Sequence, residues 1–200
     1  MPLSEEQKLN MEKRRAKILE VATVLFATEG YEGTTIKKVS EAAEISYGSV
    51  FTYFKDKEEL FRTVVLEPLN YLSEALFDFN PDTNDPMKEL EKIIRTHIHV
   101  FAGMNTYLTL VVQVIGQHNK FPEIFSELDQ FHNKLLDKVS RLVKNGQNQG
   151  LLIQQNPFTV AALYTSLLIG IRLNTTDARF SEAWDSYISS IMNLLGPIYK

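Results

Sequence analysis

Apolar residues recur every three or four positions along nearly the whole chain, which is the spacing of helices that bury one face. No stretch shows the two-residue alternation typical of a half-buried strand. Turn-forming residues interrupt the pattern at Gly30 and Gly33, between Pro81 and Pro86, and at 145–150 ("NGQNQG"). The pattern therefore predicts an all-α chain.

Two short helices are predicted near the N-terminus, at 36–44 and 47–54, with Thr35 and Ser46 as their N-caps. They follow a first helix that Gly30 and Gly33 close around Tyr31. Two short helices joined by a tight turn and packed on a third form a helix-turn-helix, whose second helix is free to enter the major groove of DNA. A helical hairpin in an ordinary bundle has the same spacing and is an alternative at this point.

The second short helix separates apolar from hydroxyl-bearing side chains. Val50 and Phe54 are four residues apart and can pack inward. The residues left facing outward are Ser46, Ser49, Thr52 and Tyr53. Small hydroxyl side chains permit close approach to DNA and bond to phosphates or bases. Lys57 begins the next helix, where a phosphate is favoured. A strict helical wheel places Tyr47 on the inner side, although in a first turn it can point outward.

A long helix is predicted from 57 to 79, with Asp56 as its cap and a kink at Pro68. The kink either fits the helix around the core or takes part in transmitting a signal. The helices predicted after it are 87–103, 105–118, 122–145, 157–173 and 180–195. We expect one domain over 1–62 and a second over 63–200, with the long helix crossing the boundary.

The distribution of charge indicates DNA binding only locally, and the net charge does not. The net charge is −4, and residues 1–62 hold 10 Lys and Arg against 11 Asp and Glu. Basic residues nevertheless cluster at 8–17 and at 37–57, and a local basic face can steer DNA. The 8–17 cluster, taken alone, is better explained as a solvated helix face. The chain has no cysteine and no apolar run of membrane-spanning length, and its charged N-terminus lacks a secretory signal, so we expect a cytoplasmic location and no membrane partner.

Catalysis is not indicated, and neither a metal nor a cofactor is expected. The four histidines, His97, His99, His118 and His132, form no ligand pattern such as H-E-x-x-H. His97 and His99 are two apart on a predicted helix and cannot share a face. No nucleophile elbow or phosphate loop is present.

Several apolar stretches of the larger domain contain isolated polar side chains. Such side chains are expected in a ligand pocket, and equally as hydrogen-bonded residues of the core. The candidates are His97, Phe101, Tyr107, Gln113, Phe125, His132 and Tyr164. Each alone favours the core interpretation. Together they favour an apolar or amphipathic effector.

The last two helices predict a homodimer, because one is apolar nearly all round and the other repeats large apolar residues at helical spacing. The residues assigned to the interface are Leu163, Leu167, Trp184, Tyr187, Ile188 and Ile191. A well-buried monomer core is the alternative.

Three segments, "LFATEGYEGTT", "VSEAAEIS" and "YGSVFTYFKDKEEL", carry a family resemblance. The stretch that contains them, 14–61, resembles the DNA-binding domain of the TetR family of bacterial transcriptional regulators. A weaker likeness lies in "GQNQGLLIQQNPFTVAALYTSLLIG". The resemblance implies a repressor released from a palindromic double-stranded DNA operator by a small-molecule effector. It also implies that the last two helices pair with their symmetry mates as a four-helix bundle. An adaptor protein without effector-controlled operator binding is the alternative.

By position, the resemblance assigns DNA contacts to five residues and a phosphate contact to Lys57. The five are Lys37, Tyr47, Gly48, Ser49 and Tyr53. Two positions depart from the family pattern: Phe51 stands where tyrosine is usual, and Glu44 where glycine is common. A positive φ at Glu44 would be mildly strained.

Overall fold

Helices follow one another along the part of the chain that the structure describes. The structure is a computed structural model and describes residues 4–174 and 184–198. Its helices are α1 (Glu5–Gly33), α2 (Ile36–Ala42), α3 (Tyr47–Val50), α4 (Lys57–Leu66), α5 (Pro68–Leu76), α6 (Pro86–Ala102), α7 (Asn105–Gly116), α8 (Pro122–Asn148), α9 (Pro157–Asn174) and α10 (Trp184–Leu194). The all-α prediction is confirmed for these residues. The predicted helix start near residue 180 lies outside them.

The chain divides into two compact units. The first comprises Met1–Pro68 with Thr109–Phe125, and the second comprises Leu69–Leu108 with Ser126–Lys200. The division therefore falls at Pro68 rather than at residue 62, and the segment 109–125 belongs with the first unit.

Side-chain contacts explain why the later segment joins the first unit. Gln113 donates a hydrogen bond to the carbonyl of Ala27 at 2.8 Å. Phe121 packs against the rings of Tyr31 and Phe61, with centroids 5.2 and 4.8 Å away. Such contacts between residues far apart in sequence leave no periodic signal.

In the first unit, α1 packs against α2 and α4, and α2 packs against α3. Side chains from all four helices and from the turn after α3 form its core, chiefly Ile18, Phe26, Val39, Val50, Phe54, Leu60 and Phe61. Polar side chains begin the helices as predicted: Thr35 caps α2, Ser46 caps α3 and Asp56 caps α4.

The helix predicted over 57–79 is divided at Glu67 and ends at Leu76. Pro68 carries no N–H for the carbonyl of Val64, so the ladder is interrupted where the kink was predicted. After Leu76 the chain turns, and Phe79 is buried in the core of the second unit.

In the second unit, α6 contacts both α9 and α10. α8 continues through the predicted break at Gly146 and ends at Asn148. Gly146 is needed there for close approach, because a Cβ would lie 2.8 Å from a methyl carbon of Leu152. Gln147 is buried and donates to the carbonyls of Ile153 and Gln155, which fixes the loop that follows.

Over the described residues, no single helix is both long and apolar enough to cross a membrane; α6 and α7 pass that test only as a bent pair.

Candidate nucleic-acid interface

The helix α3 is a single turn whose two sides differ completely. Val50, together with Phe54 in the turn after it, is buried in the first unit. Five residues on the opposite side are exposed and form what we call the outer face: Ser46, Tyr47, Gly48, Phe51 and Thr52. Ser49 and Tyr53 lie half-buried at its edge. The predicted inward pair is therefore confirmed in its burial, and of the four residues predicted to face outward Ser46 and Thr52 are exposed whereas Ser49 and Tyr53 are half-buried.

Tyr47 points outward, with 56% of its surface exposed. The helical wheel placed it inward because a wheel assumes a helix long enough to repeat. α3 ends at Val50, so Tyr47 lies in its only turn and is not bound by the position of Phe54. Its ring meets the edge of the exposed Phe51 ring at a centroid distance of 5.2 Å. Sequence reasoning missed this pair, although the spacing of four residues was a signal for it.

Gly48 has no role in the fold that requires glycine. Its φ is not positive, and a Cβ built on it meets no atom within 4 Å. Glycine within a helix costs about 0.5–1 kcal/mol relative to alanine. An exposed glycine with no conformational reason is expected where another molecule approaches the backbone closely.

The serine hydroxyls are partly engaged by the fold. Ser46 Oγ accepts a hydrogen bond from the backbone N–H of Ser49 and lies 2.6 Å from Ser49 Oγ. Ser46 is therefore first an N-cap, and any contact it makes with DNA is additional. Thr52 is exposed, and no hydrogen bond from its hydroxyl is present within the described residues.

The turn between α2 and α3 contains the strained residue that the sequence indicated. Glu44 has φ +58°, which side chains other than glycine rarely adopt. The N–H of Ile45 donates to the carbonyl of Ser40, which closes the turn and holds Glu44 in this conformation.

Lys57, predicted to contact a phosphate, also makes contacts within the fold through its ammonium group. Nζ donates to the carbonyls of Tyr31 at 2.9 Å and Thr34 at 3.2 Å, and lies 4.1 Å from the centre of the Tyr31 ring. These carbonyls end α1, so Lys57 holds the end of α1 against the start of α4. Only one of its three N–H donors is left for a phosphate. Lys37, in contrast, is exposed, with a loose contact of 3.9 Å to Glu41.

A clamp that sequence reasoning missed joins α1 to the residue before Pro68. The Arg15 guanidinium donates to both carboxylate oxygens of Glu67, one at 2.9 Å, and lies 5.6 Å from the centre of the Phe54 ring. The hydrogen bond from Arg15 holds the pKa of Glu67 below its usual value. The 52 residues between the two partners explain why no local pattern revealed the pair.

In the second unit, two of the predicted pocket residues bind each other. Tyr164 Oη donates to His97 Nδ1 at 2.9 Å, and His97 Nε2 donates to the carbonyl of Leu76 at 3.0 Å. Burial lowers the pKa of His97 to about 4 and raises that of Tyr164. Every polar atom of the His97 ring is thus satisfied, which is the core interpretation for this pair.

The remaining predicted pocket residues are divided between the two units. Gln113 and Phe125 lie in the first unit, where Gln113 bonds to α1. In the second unit Phe101 is buried, Tyr107 is half-buried, and His132 lies 3.1 Å from Thr165 Oγ1. Burial lowers the pKa of His132 and raises that of Tyr107. Within the described chain, no group of three or more His, Asp or Glu side chains could hold a metal ion.

The residues assigned to the dimer interface fall into three sets. Leu163 is 65% exposed, and Leu167 and Tyr187 are half-buried. Ile188 and Ile191 are buried in the core of their own chain, although Ile191 also lines the groove described next. The side chain of Trp184 lies outside the described residues. Leu163 and Leu167 line an open groove of about 270 Å³ between α9 and α10, which the exposed Leu194 also lines.

The three-helix arrangement around α3 and its outer face define the class: the chain is a helix-turn-helix protein. Residues 18–64 match the model of the bacterial regulatory proteins of the tetR family. The transcriptional repressor AcnR of Corynebacterium efficiens is 40% identical over 151 residues, which cover 75% of this chain and 74% of AcnR. The chain belongs to the tetR family, a family of DNA-binding transcriptional regulators rather than of enzymes.

Solved structures show the same fold over nearly the whole chain. The ketosteroid transcriptional regulator KstR2 of Mycobacterium tuberculosis superimposes with a TM-score of 0.78 at 16% identity, covering 92% of this chain and 95% of KstR2. AibR, solved in complex with isovaleryl coenzyme A and operator DNA, gives a TM-score of 0.72 at 19% identity and covers 93% of this chain and all of that one (100%).

Proposed function

We propose that this protein is a cytoplasmic repressor that binds a palindromic DNA operator as a homodimer and leaves it when a small apolar or amphipathic effector binds. The observation that carries the proposal is the outer face of α3. Its side chains are exposed although the fold gains nothing from Tyr47, Gly48 or Phe51 at these positions. AcnR, a relative over three quarters of the chain, is itself a repressor.

The outer face fits the major groove with its N-terminal residues foremost. Gly48 permits close approach of the backbone, and the Thr52 and Ser49 hydroxyls are within reach of bases or phosphates. The Tyr47 ring, supported by Phe51, offers both an apolar edge for a thymine methyl and a hydroxyl for a phosphate. Lys37 and Lys55 are exposed on the same unit and suit phosphates.

The groove between α9 and α10 supports the homodimer. Leu163 and Leu194 are 65% and 70% exposed, and contiguous exposed leucines mark an interaction surface. α9 is apolar nearly all round: Ala161, Tyr164 and Leu168 are buried in the core of the second unit, Leu167 is half-buried against it, and Leu163 is exposed. A second copy of the same helix is a self-complementary partner for this side.

The effector class follows from the interior of the second unit and from the relatives. The interior is apolar with few polar groups, among them the hydrogen-bonded pair of His97 and Tyr164 and the pair of His132 and Thr165. AibR was solved with isovaleryl coenzyme A, and KstR2 is a ketosteroid regulator. We therefore propose an acyl thioester or a steroid-like molecule.

Selection from a random duplex library, followed by fluorescence anisotropy, tests the proposal. We expect the selected duplex to bind at least about 10³-fold more tightly than a scrambled one. A saturating effector, screened first among acyl-coenzyme A thioesters of graded length, should then weaken binding by about 5- to 150-fold.

Two other outcomes separate the alternatives. A folded protein that prefers no sequence would contradict operator binding and favour the adaptor. The protein could instead bind one sequence specifically while no acyl thioester or steroid releases it from the DNA. That result would support operator binding and refute the proposed effector class.

A further inference from the structure

A cleft of about 310 Å³ lies entirely within the first unit. Three segments line it: Tyr31 near the end of α1, Glu58 and Arg62 on α4, and residues 120–124 in the turn before α8 and its first residues. None of these residues belongs to the outer face of α3 or to the groove between α9 and α10. The volume is at the lower end of the range for small-molecule sites, so it suits a compact ligand.

Aromatic and aliphatic side chains form the apolar part of the lining. Phe121 is half-buried and Ile124 is buried, and the Tyr31 ring meets the Phe121 ring edge-on with their centroids 5.2 Å apart. Phe121 also packs against Phe61 of the core, with centroids 4.8 Å apart. Because the core holds both rings in place, the cleft presents an aromatic surface that is formed before a ligand arrives.

Two polar contacts fasten the later part of the chain to α1. Gln113 donates to the carbonyl of Ala27, and the Lys120 ammonium group pairs with Glu32 and lies 5.2 Å from the centre of the Tyr31 ring. The residues that follow Lys120 are therefore held at the side of the cleft and do not fill it.

The charged side chains of the lining are balanced, with two acids and two bases. Glu58 and Arg62 are four residues apart on α4, and Lys120 and Glu123 are three apart around the start of α8. Within the part of the chain that the structure describes, no hydrogen bond or ion pair engages the carboxylate of Glu58 or of Glu123. Burial and then the charge of Glu58 raise the pKa of the Tyr31 hydroxyl, so the Glu58 carboxylate acts on the aromatic part of the cleft.

This balance of charge decides which ligands fit. A ligand with a single charge would meet as many like charges as opposite ones. A ligand with both a carboxylate and an ammonium group can place the first near Arg62 and Lys120 and the second near the two glutamates. A guanidinium has five N–H donors and an ammonium group has three, so contacts elsewhere in the fold leave donors for a carboxylate.

We infer that this cleft binds a small aromatic zwitterion, such as a free aromatic amino acid, with its ring against Tyr31 and Phe121. The inference does not depend on operator binding, and the site is separate from the effector site proposed in the second unit. DNA is a poor occupant, because a polyanion gains no net attraction from a lining with balanced charge.

Isothermal titration calorimetry with three ligands that share an indole ring tests the inference. Tryptophan carries both charges, tryptamine carries only the ammonium group, and indole-3-propionate carries only the carboxylate. We expect tryptophan to bind with a dissociation constant on the order of 0.1 mM, as suits a ligand of about 15 non-hydrogen atoms. The other two should bind at least about tenfold more weakly, because each leaves one pair of charged residues without a partner.

A test variant and a matched control show where the ligand binds. The test variant is Glu123→Gln and the control is Glu6→Gln, because each removes an exposed acid from the first turn of a long helix of the first unit. Glu123→Gln should weaken tryptophan binding about fivefold without weakening the binding of indole-3-propionate, since Glu123 pairs only with an ammonium group. Glu6→Gln should bind both ligands like wild type. The two unfolding midpoints should agree, because both variants lose the same interaction with a helix N-terminus.

Three results would overturn the inference. The first is no binding of tryptophan, tyrosine or phenylalanine at about ten times the expected dissociation constant. The second is wild-type protein that binds tryptamine or indole-3-propionate as tightly as tryptophan, because the ligand would then not need both charges. The third is tryptophan binding that weakens equally in both variants or in neither, because the ligand would then bind elsewhere. Operator binding is measured separately, so none of these results affects the proposed function.

Discussion

Replacing Gly48 with alanine should strengthen the fold and weaken DNA binding at the same time. The new methyl group meets no atom within 4 Å and Gly48 is helical, so the fold has room for it. Alanine in place of helical glycine contributes about 0.5–1 kcal/mol to the free energy of unfolding. For a chain of this length, that raises the melting temperature by about 1–4 °C.

The same methyl group projects from the outer face into the space that the proposed docking assigns to DNA. Holding the backbone away from the groove should cost at least about tenfold in operator affinity, or about 1.4 kcal/mol. Gly116→Ala is a matched control, because Gly116 is also an exposed helical glycine with no atom within 4 Å of an added Cβ, and it lies in the same unit.

Thermal unfolding and anisotropy titration of both variants measure the two effects. We expect Gly116→Ala to be at least as stable as wild type and to bind the operator normally. Undiminished operator binding by Gly48→Ala would refute the docking. Equal losses of affinity in both variants would show that the effect passes through the fold rather than through a DNA contact.

Three further outcomes are expected. Glu44→Gly should raise the free energy of unfolding by about 0.5 kcal/mol, because glycine adopts the positive φ without strain. Glu41→Gly within α2 should instead lower it by about 1 kcal/mol. Urea titrations in which both variants change stability in the same direction would contradict this. His97 has a pKa of about 4 when folded and an ordinary value of 6.5, so the unfolded chain takes up the proton first and stability falls as the pH drops from 6.5 towards 4. Between pH 7.5 and 4.5 this loss in the free energy of unfolding is about 2.5 kcal/mol, and His97→Gln should lack it. If the free energy of unfolding of wild type and of His97→Gln fell in parallel with pH, the loss could not be assigned to His97. Leu163→Glu should halve the mass measured by light scattering and abolish high-affinity operator binding; an unchanged dimer would place the interface elsewhere.

Local patterns predicted much of the fold because they arise from interactions within a few residues. Caps such as Ser46 and Asp56 mark where helices begin, and the missing N–H of Pro68 marks where one is interrupted. The residues that face outward around α3 could be predicted because Val50 and Phe54 are buried, and residues on the other side of the same turn must then face solvent.

Partners far apart in sequence could not be predicted in this way. Lys57 has the composition of a phosphate ligand, but its carbonyl partners lie 23 and 26 residues earlier. Gln113 interrupts an apolar run as a pocket residue would, and its actual partner, Ala27, is 86 residues away. Ile188 and Ile191 were assigned to an interface by their spacing, but the same spacing suits residues that pack in the chain's own core, where both are buried.

Hydroxyl-radical footprinting of the selected operator tests most directly whether α3 binds DNA as a symmetric pair. We expect two protected half-sites related by two-fold symmetry, with their centres one helical turn or a multiple of it apart, and two protomers on each duplex. Gly48→Ala should need at least about tenfold more protein to protect the two regions, and should gain or lose them together. Protection of a single asymmetric site by one protomer, or none at concentrations where the protein is folded and dimeric, would contradict it.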